Sequence, residues 1–241
     1  MSLDDIIVSR RTIRQFKPLP IARSFLEKLV NAARLAPSAG NLQPLEFIVV
    51  DEDETRKKIF PCLRWAGYIA PEGNPKPGNE PMAYIISLVN SSVREKGYEY
   101  DVGAAMENMI LTAWEEGLGT CWLISVDREK VVEILRIPKG YKVDCVLALG
   151  YPAENPLLEE LKDSVKYWKD NEDVLHVPKR NLKDIVHFNK FSCPHSPATV
   201  SSPIFIVGPQ TAVRNSRSFP TVSTRFKIFS RFPAMVTSET G

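Results

Sequence analysis

Several of the usual signatures of catalysis are missing from this 241-residue chain. Its four cysteines, Cys62, Cys121, Cys145 and Cys193, form no C-x-x-C pair, and Cys121 and Cys145 sit inside apolar runs, as small buried hydrophobes do. Its three histidines, His176, His187 and His195, stand without acidic or cysteine neighbours at ligand spacing, so no metal site is expected. There is no nucleophile elbow, Walker loop or G-x-G-x-x-G. Gly117-Leu118-Gly119 lacks the third glycine and precedes a strand rather than a helix. A net charge of +2 is too small to hold nucleic acid by electrostatics, and no apolar run reaches the roughly 18 residues of a membrane span. Met1-Ser2-Leu3-Asp4-Asp5 shows no basic region followed by an apolar one, which makes the cytoplasm the expected compartment. With no acid, base or nucleophile constellation in view, chemistry supplied by a bound cofactor becomes the leading option.

What is present is a regular α+β pattern over residues 1–191. Ser2 followed by Asp5 predicts a capped short helix with Leu3, Ile6 and Ile7. A second helix is expected over 24–35, with Phe25, Leu26, Leu29, Val30 and Ala33 on one face, stopping before Pro37. Leu45–Val50 reads as a buried strand followed by a helix near 53–60. Residues 61–81, with five prolines and three glycines, read as a surface loop or lid. Strands are expected at Ala83–Val89, Thr120–Ile124 and Val143–Leu149. Helices are expected from Asp127 to Leu135 and from Asn181 to about Asn189. Between 101 and 116, Val102, Ala105, Met106, Met109, Ile110, Ala113 and Trp114 make a helix hydrophobic over more than one stripe, which must be central or lie at a subunit interface. There are too few βα pairs for a doubly wound sheet, so a sheet flanked by helices is the expected architecture.

Residues 192–241 differ in kind. They hold five basic residues against one acid, with nine Ser, six Thr and six Pro, which leaves 26 basic and 28 acidic residues for 1–191. Such a basic, Ser/Thr/Pro-rich extension is either disordered or docked on a partner subunit, where Ile204-Phe205-Ile206-Val207 could add an edge strand.

Ser9-Arg10-Arg11-Thr12-Ile13-Arg14-Gln15-Phe16 sets three guanidinium groups and two hydroxyls within eight residues. That composition is either a clamp for an anion such as phosphate or a solvated basic helix end. Together with Ala36-Pro37-Ser38-Ala39-Gly40-Asn41-Leu42-Gln43-Pro44, with Asp101-Val102-Gly103 running through Asn108 to Gly117-Leu118-Gly119-Thr120-Cys121-Trp122, and with Leu182-Lys183-Asp184-Ile185-Val186-His187, it resembles the FMN-dependent nitroreductase family across residues 2–191.

The resemblance implies a mostly antiparallel sheet flanked by helices in an intertwined homodimer. It also implies an NAD(P)H-dependent FMN oxidoreductase. Arg10, Arg11, Thr12 and Arg14 match the positions that hold the FMN phosphate and ribityl chain. Pro37, Ser38, Asn41 and Gln43 match the loop that reaches the flavin from the partner subunit, although Ser38 and Asn41 could equally serve only their own loop backbone. Backbone groups of Trp122, Leu123 and Ile124 would lie along the ring. Lys179 and Arg180 are either a further phosphate contact or an exposed basic pair. Arg14 is the candidate stabiliser of reduced flavin. The segment 151–178, with Tyr167, Trp168 and His176, is expected to wall the substrate pocket together with the 61–81 loop. NADH or NADPH would donate electrons by a ping-pong route to a small acceptor such as a nitroaromatic, quinone or flavin. The rival readings are a flavin carrier or redox sensor without turnover and a generic anion-binding surface.

Overall fold

Ser2 caps the first helix, α1 (Leu3–Ser9), reciprocally: its hydroxyl accepts from the Asp5 amide at 3.2 Å while the Asp5 carboxylate accepts from the Ser2 amide at 2.9 Å. The structure, a computed structural model, describes residues 1–191. The expectations placed on the extension, including the Ile204–Val207 edge strand, lie outside the described residues. After α1 the chain runs through β1 (Phe16–Lys17), α2 (Arg23–Arg34), β2 (Leu45–Val50), α3 (Asp53–Ile59), β3 (Ala83–Asn90), α4 (Glu99–Glu115), β4 (Gly119–Leu123), α5 (Arg128–Leu135) and β5 (Tyr141–Pro152). It then enters β6 (Leu157–Glu160), β7 (Trp168–Lys169) and β8 (Leu175–Lys179). The α+β class read from the sequence is the one observed.

β5 is the organising strand. One edge pairs antiparallel with β3, which pairs with β2, and the other edge pairs with β4 and then, at its end, with β1. Both faces of β3 are buried because helices cover both sides. Ala83, Ile85 and Val89 pack with α2 and α4, while Tyr84, Ile86 and Leu88 pack with Ile59 of α3 and Val131 of α5. The β3–β5 register slips between Ser87 and Leu88, so Asp144 is the extra residue of a β-bulge. That slip turns Val143 onto the face of Val146 and Ala148 instead of the face of Cys145 and Leu147. Burial pushes the Cys121 thiol up to about 11 and raises Cys145 further, so these thiols are the inert core groups the sequence suggested.

Two expectations change, and one segment carries structure that the sequence reading did not assign. Leu45–Val50 is an edge strand in which only Val50 is fully buried, because nothing among the described residues pairs with its outer side. The helix expected from Asn181 to about Asn189 is a single 3-10 turn, Leu182–Asp184: the Asn181 side chain donates to Glu160 instead of capping, and Leu182 and Ile185 are exposed, with no core among the described residues to pack into. The segment 151–178 contains a second small sheet, ordered β6-β8-β7.

Residues 11–16 lie as an extended ribbon beside β4, with Thr12 bridged in parallel to Thr120 and the Ile13 amide donating to the Thr120 carbonyl at 2.9 Å. Two glycines make room for it. A Cβ on Gly119 would stand 2.6 Å from the Ile13 side chain, and one on Gly150 would stand 2.7 Å from Phe16. Ile13 and Phe16 are fully buried and cannot yield, so Gly119→Ala and Gly150→Ala should each destabilise the fold by about 1–3 kcal/mol in denaturant titrations.

Candidate active site

The extended ribbon sorts its side chains by alternation: Arg11, Ile13 and Gln15 are buried, while Thr12 and Arg14 lie at the boundary. Burial of Arg11 is the unusual feature, since an arginine taken out of water is nearly always paired. Here its guanidinium donates to the Arg10 carbonyl, its Nε is buried with no partner, and it forms no salt bridge with a carboxylate among the described residues. Burial, and then the like charge of Arg10, pushes its pKa down. The Arg14 Nε is likewise buried and unpartnered. Two guanidinium groups without a salt bridge among the described residues, with Arg10 at the end of α1, make this stretch a cluster of positive charge.

The ribbon is held by contacts that sequence reading missed. Glu154 accepts from the backbone amides of Arg14 and Gln15, although 140 residues separate it from Arg14. The Gln15 side chain donates to the Asn74 carbonyl at 2.8 Å and accepts from the Lys76 amide at 3.0 Å. These bonds dock the Pro-rich loop onto the basic stretch. They also place two further orphans in that loop, the Asn74 Oδ1 and the Trp65 Nε1. Nothing in the spacing of Trp65, Asn74 or Glu154 singles them out, because their roles arise from chain segments that meet only in three dimensions.

The two expected walls do meet over Arg14. The Tyr167 ring lies 5.0 Å from the Arg14 guanidinium carbon, and Tyr68 of the loop packs on Tyr167 with ring centroids 5.1 Å apart. Lys76 pairs with Asp173 at 2.6 Å, a second tie between loop and small sheet. His176 has acidic partners after all: its Nδ1 lies 2.6 Å from Glu159 and its Nε2 3.0 Å from Asp170, brought there by β-pairing and not by sequence spacing.

The Pro37–Pro44 loop lies elsewhere. Gly40, Asn41 and Gln43 all have positive φ, a tight strained turn from which Asn41 points outward. The Ser38 hydroxyl donates to buried Asp101 at 2.8 Å and accepts from the Gln43 amide at 3.0 Å, and the Gln43 side chain donates to Asn41. Asp101 begins the buried face of α4, whereas Trp114, near its other end, donates to Ser9 at 2.9 Å beside the basic stretch. Thirteen residues of helix put about 20 Å between them. One chain therefore brings Arg10–Arg14 together with Thr120–Trp122, Tyr167 and Asn74, and keeps Ser38 and Asn41 apart from them. Trp122 is half-exposed between buried Cys121 and Leu123, and Ile124 lies just past the end of β4. Lys179 is exposed at the end of β8, and Arg180 is turned onto the Asp184 carbonyl.

The model of the nitroreductase family matches residues 7–151. This chain belongs to the nitroreductase family. An Archaeoglobus fulgidus protein named as an NADH dehydrogenase/NAD(P)H nitroreductase is 33% identical over 181 residues, covering 72% of this chain and 96% of that one. A 5,6-dimethylbenzimidazole synthase of Rhodospirillum rubrum is 25% identical, over 66% of this chain and 86% of that one. Among solved structures, an FMN-dependent nitroreductase of Clostridium difficile R20291 has 26% identity and a TM-score of 0.56, covering 77% of this chain and 98% of that one. The nitroreductase relatives thus carry different activities in their names, and the substrate has to be sought in each chain's own site.

Within this nitroreductase fold the Ser38 hydroxyl has a structural duty that can be measured. Ser38→Ala leaves Asp101 with only the Ala39 amide at 3.2 Å and Arg94 at 3.5 Å, and should cost about 1 kcal/mol of stability by urea denaturation.

Proposed function

We propose that the chain is an FMN-dependent oxidoreductase that passes reducing equivalents from NADH or NADPH to an oxidised small molecule such as a nitroaromatic, a quinone or a flavin. The observation that carries this reading is the buried Arg11 with its unpartnered Nε beside Arg10 and Arg14, a cationic wall that lacks its anion. A phosphate would neutralise it, and the fork geometry of guanidinium suits phosphate oxygens. The donor set fits the cofactor: Arg10, Arg11 and Thr12 would hold the phosphate and ribityl chain, with Lys179 and Arg180 as further cations. Arg14 would face the ring's pyrimidine end, and the backbone of Trp122, Leu123 and Ile124 would lie along the ring. When bound, the cofactor supplies the hydride chemistry in ping-pong order, and no side-chain acid or nucleophile is required. The chain's part is to bind, to exclude water with the Tyr68–Tyr167 pair, and to place Arg14 where negative charge develops on reduction.

Pro37, Ser38, Asn41 and Gln43 would come from a second copy, since about 20 Å of α4 separates them from Arg14 in one chain. Two features favour a homodimer. An apolar groove of about 300 Å³, lined by Val30, Ala33, Leu45, Phe47 and Ala105, lies open beside that loop. Gly103, inside α4, has open space where a Cβ would be, although a helical glycine costs about 1 kcal/mol relative to alanine. Close approach of a second chain explains why that cost is kept. Gly103→Leu should leave the chain folded by circular dichroism and shift it to a monomer in sedimentation.

The visible spectrum tests the function. Purified protein, or protein given FMN, should show a bound-flavin band that NADH or NADPH bleaches and a quinone or nitroaromatic restores. Absence of the band rejects the reading, and a band that is never bleached makes the chain a flavin carrier. Arg10→Ala should weaken FMN binding by about 1.5–3 kcal/mol. Arg11→Met removes an unneutralised buried charge, so it should leave the FMN-free protein at least as stable while costing FMN affinity in the same titration.

A further inference from the structure

The small sheet β6-β8-β7 carries a group that the proposed reaction does not use. His176, the second residue of the middle strand β8, is buried, stacks on Trp168 with ring centroids 4.2 Å apart and planes at 8°, and spans two carboxylates. Glu159 reaches it from β6 and Asp170 from the end of β7, one on each ring nitrogen. Asp170 also accepts from the Glu172 and Val174 amides, at 2.9 Å each, which closes the β7–β8 turn. The turn also carries Lys169, Asp173 and the exposed Glu172, and the 61–81 loop carries Arg64, Glu72, Lys76 and Glu80; of these, Lys169 and Lys76 both bond Asp173, at 2.8 and 2.6 Å. With both nitrogens facing carboxylates, the ring is built to be an imidazolium that donates twice and thereby joins all three strands. Neutral, it has one N–H, and the other nitrogen confronts a carboxylate with a lone pair.

The residue before Trp168 is Tyr167, whose ring lies over the Arg14 guanidinium and against Tyr68. The sheet is therefore an arm that delivers one aromatic ring to the cationic wall. Besides Tyr167, the Arg14 side chain meets the buried Cys121 thiol, while its Nε has no partner and its guanidinium makes no salt bridge among the described residues.

We propose that Tyr167 is a positioning residue for Arg14, and that the Glu159–His176–Asp170 bridge holds Tyr167 in place only while His176 carries its proton. The Asp170 hydrogen bond, and then Glu159, raises the His176 pKa above its ordinary value of 6.5, and the His176 bond holds Asp170 below 3.8. For His176, raised on folding, the stabilisation is complete below 6.5 and is lost as pH rises through the raised value. For Asp170, lowered on folding, it is present above 3.8 and is lost as pH falls through the lowered value. The arm is thus tightest between those limits and loosens on the alkaline side.

The bridge and the latch are testable without a cofactor, and only the effect on flavin rests on the function proposed above. By NMR, the His176 ring should titrate above 6.5 in the full-length protein and fall back toward that value in Asp170→Asn. The Arg14 Nε proton should show a ring-current shift that is kept in Tyr167→Phe, is lost in Tyr167→Leu, and fades in the wild type as pH rises through the His176 pKa. In His176→Gln, which cannot carry the charge, the Arg14 shift should be small and independent of pH. An Arg14 shift that ignores pH in the wild type, or that survives in Tyr167→Leu, overturns the proposal. With FMN bound, Tyr167→Leu should weaken binding of the reduced form relative to the oxidised about tenfold, a fall of about 30 mV in two-electron potential, and Tyr167→Phe should not. Equal potentials in Tyr167→Leu and wild type overturn the coupling to the site. Failure to bind FMN at all rejects the function alone, and the NMR titrations still decide the latch.

Discussion

The site depends on one constraint: an extended ribbon carrying Arg11 and Arg14 is pressed against a sheet that has only glycine to offer it. Gly119 and Gly150 leave the space that Ile13 and Phe16 fill, and with Ile13 anchored, alternation carries Arg11 inward with it, while Arg14 lies at the boundary. Had the ribbon been a helix end, as the basic composition also allowed, the same guanidinium groups would have been solvated and chemically idle. Burial of Arg11 instead makes its charge costly while it stays unpartnered, and that cost is the physical ground for proposing an anion there.

Everything that touches this ribbon is long-range. Glu154 grips its backbone from beyond β5, Gln15 ties it to the Pro-rich loop, and Tyr167 covers Arg14 from the small sheet. The walls are linked to each other through Tyr68 with Tyr167 and Lys76 with Asp173, so the loop, the ribbon and the sheet form one connected patch. The core supports this from below, since β5 pairs with β4 and then directly with β1 at the ribbon's end.

α4 has a different role, as the ruler of the molecule. Its buried face fixes the distance between Ser9, bonded to Trp114, and Ser38, bonded to Asp101. The two polar blocks that the sequence suggests as one site are held at opposite ends of a rigid rod, and two copies of the chain offer a way to bring them together. The open space at Gly103 and the uncovered apolar groove lie on the loop's side of that rod.

Local chemistry was legible from the residues alone. The Ser2–Asp5 capping box, the periodicities of α2 and α4, the breaker-rich 61–81 loop and the strands around Ile85, Cys121 and Leu147 follow from hydrogen-bond valence and apolar spacing, which act within a few residues. The basic stretch and the polar loop were legible as candidate blocks for the same reason. Folding in three dimensions decided what no spacing encodes: that Arg11 is buried without a salt bridge among the described residues, that Glu154 and Asn74 bond the ribbon at Arg14 and Gln15, that His176 lies between two carboxylates, and that Leu182–Asp184 is only a turn. Those outcomes depend on which distant segments exclude water from one another, and that is a property of the assembled sheet and helices, not of any stretch of chain.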